Sequence, residues 1–244
     1  MSLIRSGATV VLGLALLAGC AESATEDATP TADGIGNVTP AAVVFDPAIA
    51  LDAQLGDAIS TGNVDLATAV LDAGIDLSVE LPVGLPPLHY AAQVNQPEIV
   101  SILVKAGAPI EQADAQGRTP LMIAASFADA PVVQALLDAG ADISAGNPTL
   151  VNRTAWQYAG QYGNTATLEV LYAAGVDINS VDDFGSSVLI TAAYGGHLES
   201  VEYLLSIGVD PNLRDLANTT ARGWAEYHHD TEIAEAIAAA GGES

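Results

Sequence analysis

Residues 117–140 read GRTPLMIAASFADAPVVQALLDAG, and this stretch holds one complete structural unit. Thr119 is a hydroxyl residue placed to cap a helix, and Pro120 suits the first helical position, where no intrahelical donor is lost. Ala124 and Ala125 give that helix a small-residue face. The pair Leu136-Leu137 then closes a second apolar helical pattern. Gly140 ends it, where a residue in the left-handed conformation is needed and glycine adopts it cheaply. The stretch predicts two short helices and a glycine stop.

The same punctuation recurs on both sides. Gly74, Gly107 and Gly140 are 33 residues apart, Gly175 follows after 35, and Gly208 and Gly241 resume at 33. Paired positions such as Val70-Leu71, Leu103-Val104, Leu171-Tyr172 and Leu204-Leu205 precede them, with small residues at Ala58, Ala91-Ala92, Ala159-Gly160, Ala192-Ala193 and Ala225. Small side chains let the two helices of a unit pack closely, and the apolar pairs fill the space between units. The longer spacing places two extra residues within Ser144–Arg153, with Asn147-Pro148 expected at the tip of that loop.

Here the chain resembles the ankyrin-repeat family. Gly117-Arg118-Thr119-Pro120-Leu121 matches its G-x-T-P-L motif, and Pro87-Leu88-His89-Tyr90-Ala91-Ala92 matches P-L-H-x-A-A. Gly196-His197-Leu198 through Gly208-Val209-Asp210 is similar to the family's second helix and exit. The resemblance spans roughly residues 49–242 and implies an all-α repeat fold, an ankyrin solenoid of about six helix-turn-helix units joined by β-hairpin-like loops. The first unit lacks the T-P-L motif and the last carries Arg222 where its neighbours have Leu or Trp. Both suit terminal units that turn a polar face to water.

Of 244 residues, 50% are hydrophobic but only 5% aromatic, so alanine and aliphatic side chains must build the core. Six Lys and Arg stand against 30 Asp and Glu, a formal net charge of −24. Such a field repels phosphate backbones and argues against nucleic acid. A basic protein, a cationic ligand or a salty environment all suit it. The single cysteine, Cys20, leaves no intramolecular disulfide and no cysteine-based zinc site.

The N-terminus reads as an address. Arg5 precedes an apolar run, Ala8 to Ala18, that is too short to span a bilayer. Leu17-Ala18-Gly19-Cys20 resembles the bacterial lipobox, which implies a signal peptide over residues 1–19 and lipidation of Cys20. Ala21 in place of Asp favours the outer membrane, facing the periplasm. Residues 20–48 are small, acidic and without periodicity, as expected of a tether, and residues 49–244 form the repeat domain.

No nucleophile elbow, phosphate-cradling glycine loop or zinc-protease helix occurs, so neither catalysis nor a cofactor is expected. By the resemblance, His89 and His197 serve local backbone. His228-His229-Asp230 is the one cluster with metal-binding character, although adjacent side chains diverge. Asp65, Glu98, Glu199 and Glu232 open second helices, and Asp76, Asp142, Asp177 and Asp210 follow the helix-ending glycines. Glu80, Glu111, Asp114, Asp182, Asp183 and Asp215 fall on or near the expected hairpin fingers. Asp114, Asp182, Asp183 and the adjoining Phe184 are partner candidates there, while a solvated surface accounts equally for the acids. Phe127, Tyr162 and His228 share one frame position; Tyr194 and Tyr227 share the preceding one. By resemblance these lie toward a concave groove, as a protein-binding stripe or as packing across repeat boundaries. Tyr90, Tyr158 and Trp224 are read as core.

The resulting expectation is a lipid-anchored periplasmic module that binds another protein, with a basic client favoured. An inhibitor or immunity-type protein capturing a periplasmic toxin or enzyme, and a metal- or small-ligand-binding envelope protein, stand as alternatives.

Overall fold

The computed structural model describes residues 49–244. The signal peptide expected over residues 1–19, Cys20 and the tether expected over residues 20–48 lie outside the described residues. Twelve helices among these residues form six consecutive hairpin pairs: α1 (Leu51–Thr61) with α2 (Val64–Asp72), α3 (Pro87–Gln93) with α4 (Pro97–Lys105), α5 (Pro120–Phe127) with α6 (Ala130–Asp138), α7 (Ala155–Tyr162) with α8 (Thr165–Ala173), α9 (Val188–Tyr194) with α10 (Leu198–Ser206), and α11 (Ala221–Tyr227) with α12 (Thr231–Ala239). Odd-numbered helices stack in order to form one layer and even-numbered helices form the second. No helix among the described residues is long and apolar enough to cross a membrane.

The caps work as the sequence predicts. Thr119 Oγ1 accepts the Met122 N–H at 3.4 Å with Pro120 in the first turn, and Ser187 and Thr220 cap α9 and α11 in the same way. Between the layers Ala58, Ala92, Ala125, Ala159, Ala192 and Ala225 are fully buried, as are Leu103, Leu136, Leu171 and Leu204. Trp156 is the largest wholly buried side chain, and its indole N–H reaches the Ile178 carbonyl at 3.4 Å. Gly160 stands in the frame position of Ala125 and Ala193 because a methyl there would lie 2.8 Å from the Val188 carbonyl oxygen.

Both family histidines bond between units rather than within their own turn, which differs from the sequence expectation. His89 Nε2 donates to the Arg118 carbonyl at 2.9 Å, and His197 Nε2 lies 2.9 Å from the Gln161 carbonyl. Burial pushes the His89 imidazole below its ordinary 6.5, against the opposing pull of the Arg118 carbonyl and Asp114. The unfolded chain therefore takes up this proton first as pH falls. His89 contributes stability above about pH 6.5 that is progressively lost below it. Between about pH 7.5 and 5.5, the denaturant midpoint should fall further in the wild type than in His89→Gln. Equal falls would remove His89 as the cause.

The fingers are built from one repeated device. Asp114, Asn147, Asp182 and Asp215 occupy the same frame position, and each folds its Oδ1 back onto its own loop. Asp114 accepts the N–H groups of Gln116 and Arg118 at 2.9 and 2.8 Å. Asp182 accepts those of Phe184 and Ser186 at 3.0 and 2.9 Å, and Asp215 those of Ala217 and Thr219, both at 2.9 Å. Asn147 accepts from Thr149 at 2.9 Å and gives its amide to Tyr158 Oη at 3.0 Å. The extra residues lie beyond Asn147, which pairs with Arg153 at the base of the loop and is not its tip. Pro148 to Asn152 form the turn, with Val151 and Asn152 at φ 48° and 51°. A β-branched residue in that region is strained, and the next finger holds it: the Asp183 N–H donates to the Val151 carbonyl at 2.8 Å.

Candidate partner-binding surface

Four odd-numbered helices end on an aromatic residue. Phe127 closes α5, Tyr162 α7, Tyr194 α9 and Tyr227 α11, and these side chains are 48, 46, 54 and 72% exposed. They also touch across units: Phe127 and Tyr162 at 5.4 Å between ring centroids, Tyr194 edge-on to Trp224 at 5.3 Å and to His228 at 4.9 Å. Tyr227 meets His228 edge-on at 5.3 Å. The row therefore packs along the solenoid and still presents large ring surface to solvent. An exposed aromatic series of this kind is the residue class that dominates protein interfaces.

Trp224 departs from the core assignment made from its register with Tyr90 and Tyr158. Tyr158 is buried, whereas Tyr90 and Trp224 are half-buried against the core, and Trp224 also lines a cavity of about 310 Å³ between the fingers and the ends of α7, α9 and α11. Its indole N–H donates to Asp215 Oδ2 at 2.7 Å. Tyr194, Ile190 and the finger residues Phe184 and Leu216 supply apolar walls, and Arg153 and Asp215 bring charge. The volume sits at the low end of ligand-pocket sizes and suits one large side chain.

The finger acids separate into two groups. Asp114 and Asp182 side chains are only 1% and 0% exposed and form ion pairs with Arg118 and Arg153 at 2.8 and 3.0 Å. Buried in this way, they brace the fingers and have no face to offer a partner, which corrects their selection as contact residues. Asp183 remains exposed, with one oxygen taking the Asn152 amide at 2.8 Å. Glu111 accepts the Asp142 N–H at 2.8 Å and so links two units. Among the acids past the helix-ending glycines, Asp76 and Asp142 accept both the hydroxyl and the backbone N–H of Ser78 and Ser144, which hold their carboxyls below the usual range.

The finger surface is more apolar than the sequence reading allowed. Phe184 is 54% and Leu216 77% exposed, and Val83, Leu150 and Val181 also face solvent. The available signal was frame position: Leu216 shares that of Asp183, at the outside of the loop. Toward the C-terminus, Asp230 Oδ1 caps α12 through the Ile233 N–H at 3.2 Å while His228 packs among aromatic rings. No group of three His, Cys, Asp or Glu converges on a metal position among the described residues.

Stacked helix hairpins with an open face of finger tips and helix ends define a repeat solenoid of the interaction-module class. Two segments, residues 55–147 and 149–243, match the family model described as ankyrin repeats in three copies, and the chain belongs to the ankyrin-repeat family. The ankyrin repeat domain of Bcl-3, a member of the IkappaB family, is similar in structure with a TM-score of 0.67 and 27% identity, over 79% of this chain and 87% of that one. An ankyrin repeat-containing protein of Treponema pallidum (strain Nichols) is 24% identical over 175 residues, covering 72% of this chain and 47% of that protein. An L-asparaginase of Dirofilaria immitis is 31% identical over 163 residues, or 67% of this chain and 27% of that protein. The chain thus spans less than half the length of these curated relatives. Ankyrin repeats generally mediate protein–protein interaction, and the fold is typically non-enzymatic.

Proposed function

We propose that this chain is a lipid-anchored ankyrin module of the bacterial cell envelope that binds another protein across its aromatic row and favours a basic client. The observation that carries the reading is the series Phe127, Tyr162, Tyr194 and Tyr227, each about half exposed or more at the end of successive stacked helices. Association is steered by the net charge of −24 and held by the rings. Attachment rests on Leu17-Ala18-Gly19-Cys20, with Cys20 lipidated at the outer membrane and the repeats facing the periplasm. A narrower form of the reading is an inhibitor or immunity-type protein that captures a basic periplasmic toxin or enzyme.

In-cell crosslinking of the lipidated protein and of its Phe127/Tyr162/Tyr194→Ala variant, with mass spectrometry of the prey, tests this function. One dominant basic prey lost in the variant is expected. Recovery of the same abundant envelope proteins with both baits overturns it. With the client in hand, Asp183→Asn should lower the association rate severalfold at low salt and flatten its salt dependence, leaving dissociation unchanged. A changed dissociation rate alone would make Asp183 a short-range contact and not part of the steering field.

A further inference from the structure

Three finger carboxylates stand in register, and two of them own an arginine. Asp114 Oδ2 takes Arg118 Nε at 2.9 Å and Nη2 at 2.8 Å. Asp182 Oδ2 takes Arg153 Nε and Nη2 at 3.2 and 3.0 Å. In each case Oδ1 is committed to two backbone N–H groups, so the guanidinium completes the carboxylate on its free oxygen. Asp215 repeats the Oδ1 pattern, but among the described residues its Oδ2 meets only the Trp224 indole N–H.

The reason is visible in the frame. The arginine reaches Asp114 from its own finger and Asp182 from the preceding finger. The positions that would do the same for Asp215 are Thr219 and Ser186. Arg214, its chain neighbour, is turned to the carbonyls of Asn218 and Ser244, and Arg222 pairs with Glu226 at 2.8 Å. Among the described residues the carboxylate of Asp215 is hydrogen-bonded and has no ion-pair partner.

That carboxylate lines the cavity of about 310 Å³ already described, beside the Tyr194 and Trp224 rings. The Arg153 charge in the same wall is spent on Asp182, and its Nη1 donates to Gln161 Oε1 at 2.7 Å. We propose that this pocket receives an arginine side chain of the partner protein, which supplies to Asp215 the guanidinium that Arg118 and Arg153 supply to the other two fingers. The inference rests on the protein-binding reading above and names the chemistry that one part of the surface selects. The aliphatic stem lies against Phe184, Leu216 and Ile190, and the planar guanidinium stacks on the aromatic rings while donating to Asp215 Oδ2. Arginine is preferred to lysine because a planar guanidinium stacks on the rings while donating to the lone pair of Oδ2 that the Trp224 N–H leaves open, whereas a compact ammonium does not stack.

The test uses the full repeat domain on its native chain and the capped peptide acetyl-Ala-Ala-Arg-Ala-Ala-amide. Matched peptides carry citrulline, which keeps the shape without the charge, or norleucine. The chain has two tryptophans, and Trp156 is fully buried. The Trp224 indole resonance in ¹H–¹⁵N spectra therefore reports the pocket and that of Trp156 serves as reference. The arginine peptide should shift Trp224 saturably in the millimolar range, with citrulline and norleucine at least tenfold weaker. Thr219→Arg places the missing guanidinium within the chain and should abolish the arginine response while the spectrum stays folded. Asp215→Asn is the second variant; Asn147 shows that an amide serves this finger position, and a tenfold loss is expected.

Equal binding of citrulline or norleucine overturns the proposal, as does a Trp224 signal unmoved at about 50 mM peptide. An arginine response unchanged in both folded variants overturns it too. A crosslinked prey that is lost in the aromatic variant, combined with no arginine preference, would remove this inference and keep the groove. An arginine-selective pocket with no groove-dependent prey would do the reverse.

Discussion

Replacing Asp182 by Ala is expected to lower the stability of the repeat domain by about 3–5 kcal/mol, the range for breaking a buried ion pair from one side. The substitution removes two kinds of partner at once. Oδ1 no longer accepts the Phe184 and Ser186 N–H groups, and Arg153, itself only 15% exposed, loses Oδ2 and keeps Gln161. A buried donor left without its acceptor costs more than the bond was worth. Asp182→Asn keeps one acceptor oxygen for the turn and should lose about half as much. Asp183→Asn, one residue away and exposed, should change stability by less than about 0.5 kcal/mol. Urea unfolding of the three variants checks the ranking. A loss below about 1 kcal/mol in Asp182→Ala would mean that solvent screens the pair.

The largest functional effect is expected from Phe127/Tyr162/Tyr194→Ala. Hot-spot truncations cost about 1 kcal/mol or more each, so three of them should raise the dissociation rate at least about 100-fold with little change in association. The same change removes the Phe127–Tyr162 contact and those of Tyr194 with Trp224 and His228. Ring pairs contribute about 0.5–1.5 kcal/mol each, a loss that a six-unit core absorbs without unfolding. Circular dichroism establishes the fold, and surface plasmon resonance with the crosslinked client gives the rates. An unchanged dissociation rate would remove the aromatic row from the interface.

Much of this molecule is legible one residue at a time. Thr119 and Pro120 announce a helix start, and the glycines announce its end. The acids of the second helices sit in the first turn, as Asp65, Glu98, Glu199 and Glu232 show. Frame counting also found the aromatic row, because a residue at the end of a seven- or eight-residue helix stands beyond the packed face. It misplaced Trp224 by analogy with Tyr158. The two share a position, but the Tyr158 hydroxyl accepts from the amide of a buried asparagine, whereas the Trp224 indole donates to an aspartate at the edge of an open pocket. It also treated Asp114, Asp182 and Asp183 alike.

The sequence by itself determined the period, the helix boundaries, the small-residue layer and the negative charge. Each of these depends on side chains acting within a few residues of their own backbone, or on composition alone. Only the tertiary structure decided which finger acids are structural and which face a partner. Arg153 and Asp182 are 29 residues apart and meet only because adjacent units stack. Asp114 is paired within its own finger and Asp182 across units, and among the described residues Asp215 has an arginine from neither place. That difference turns one copy of a repeated turn into an open carboxylate beside a cavity, because a charge is neutralised by what stands across from it in space.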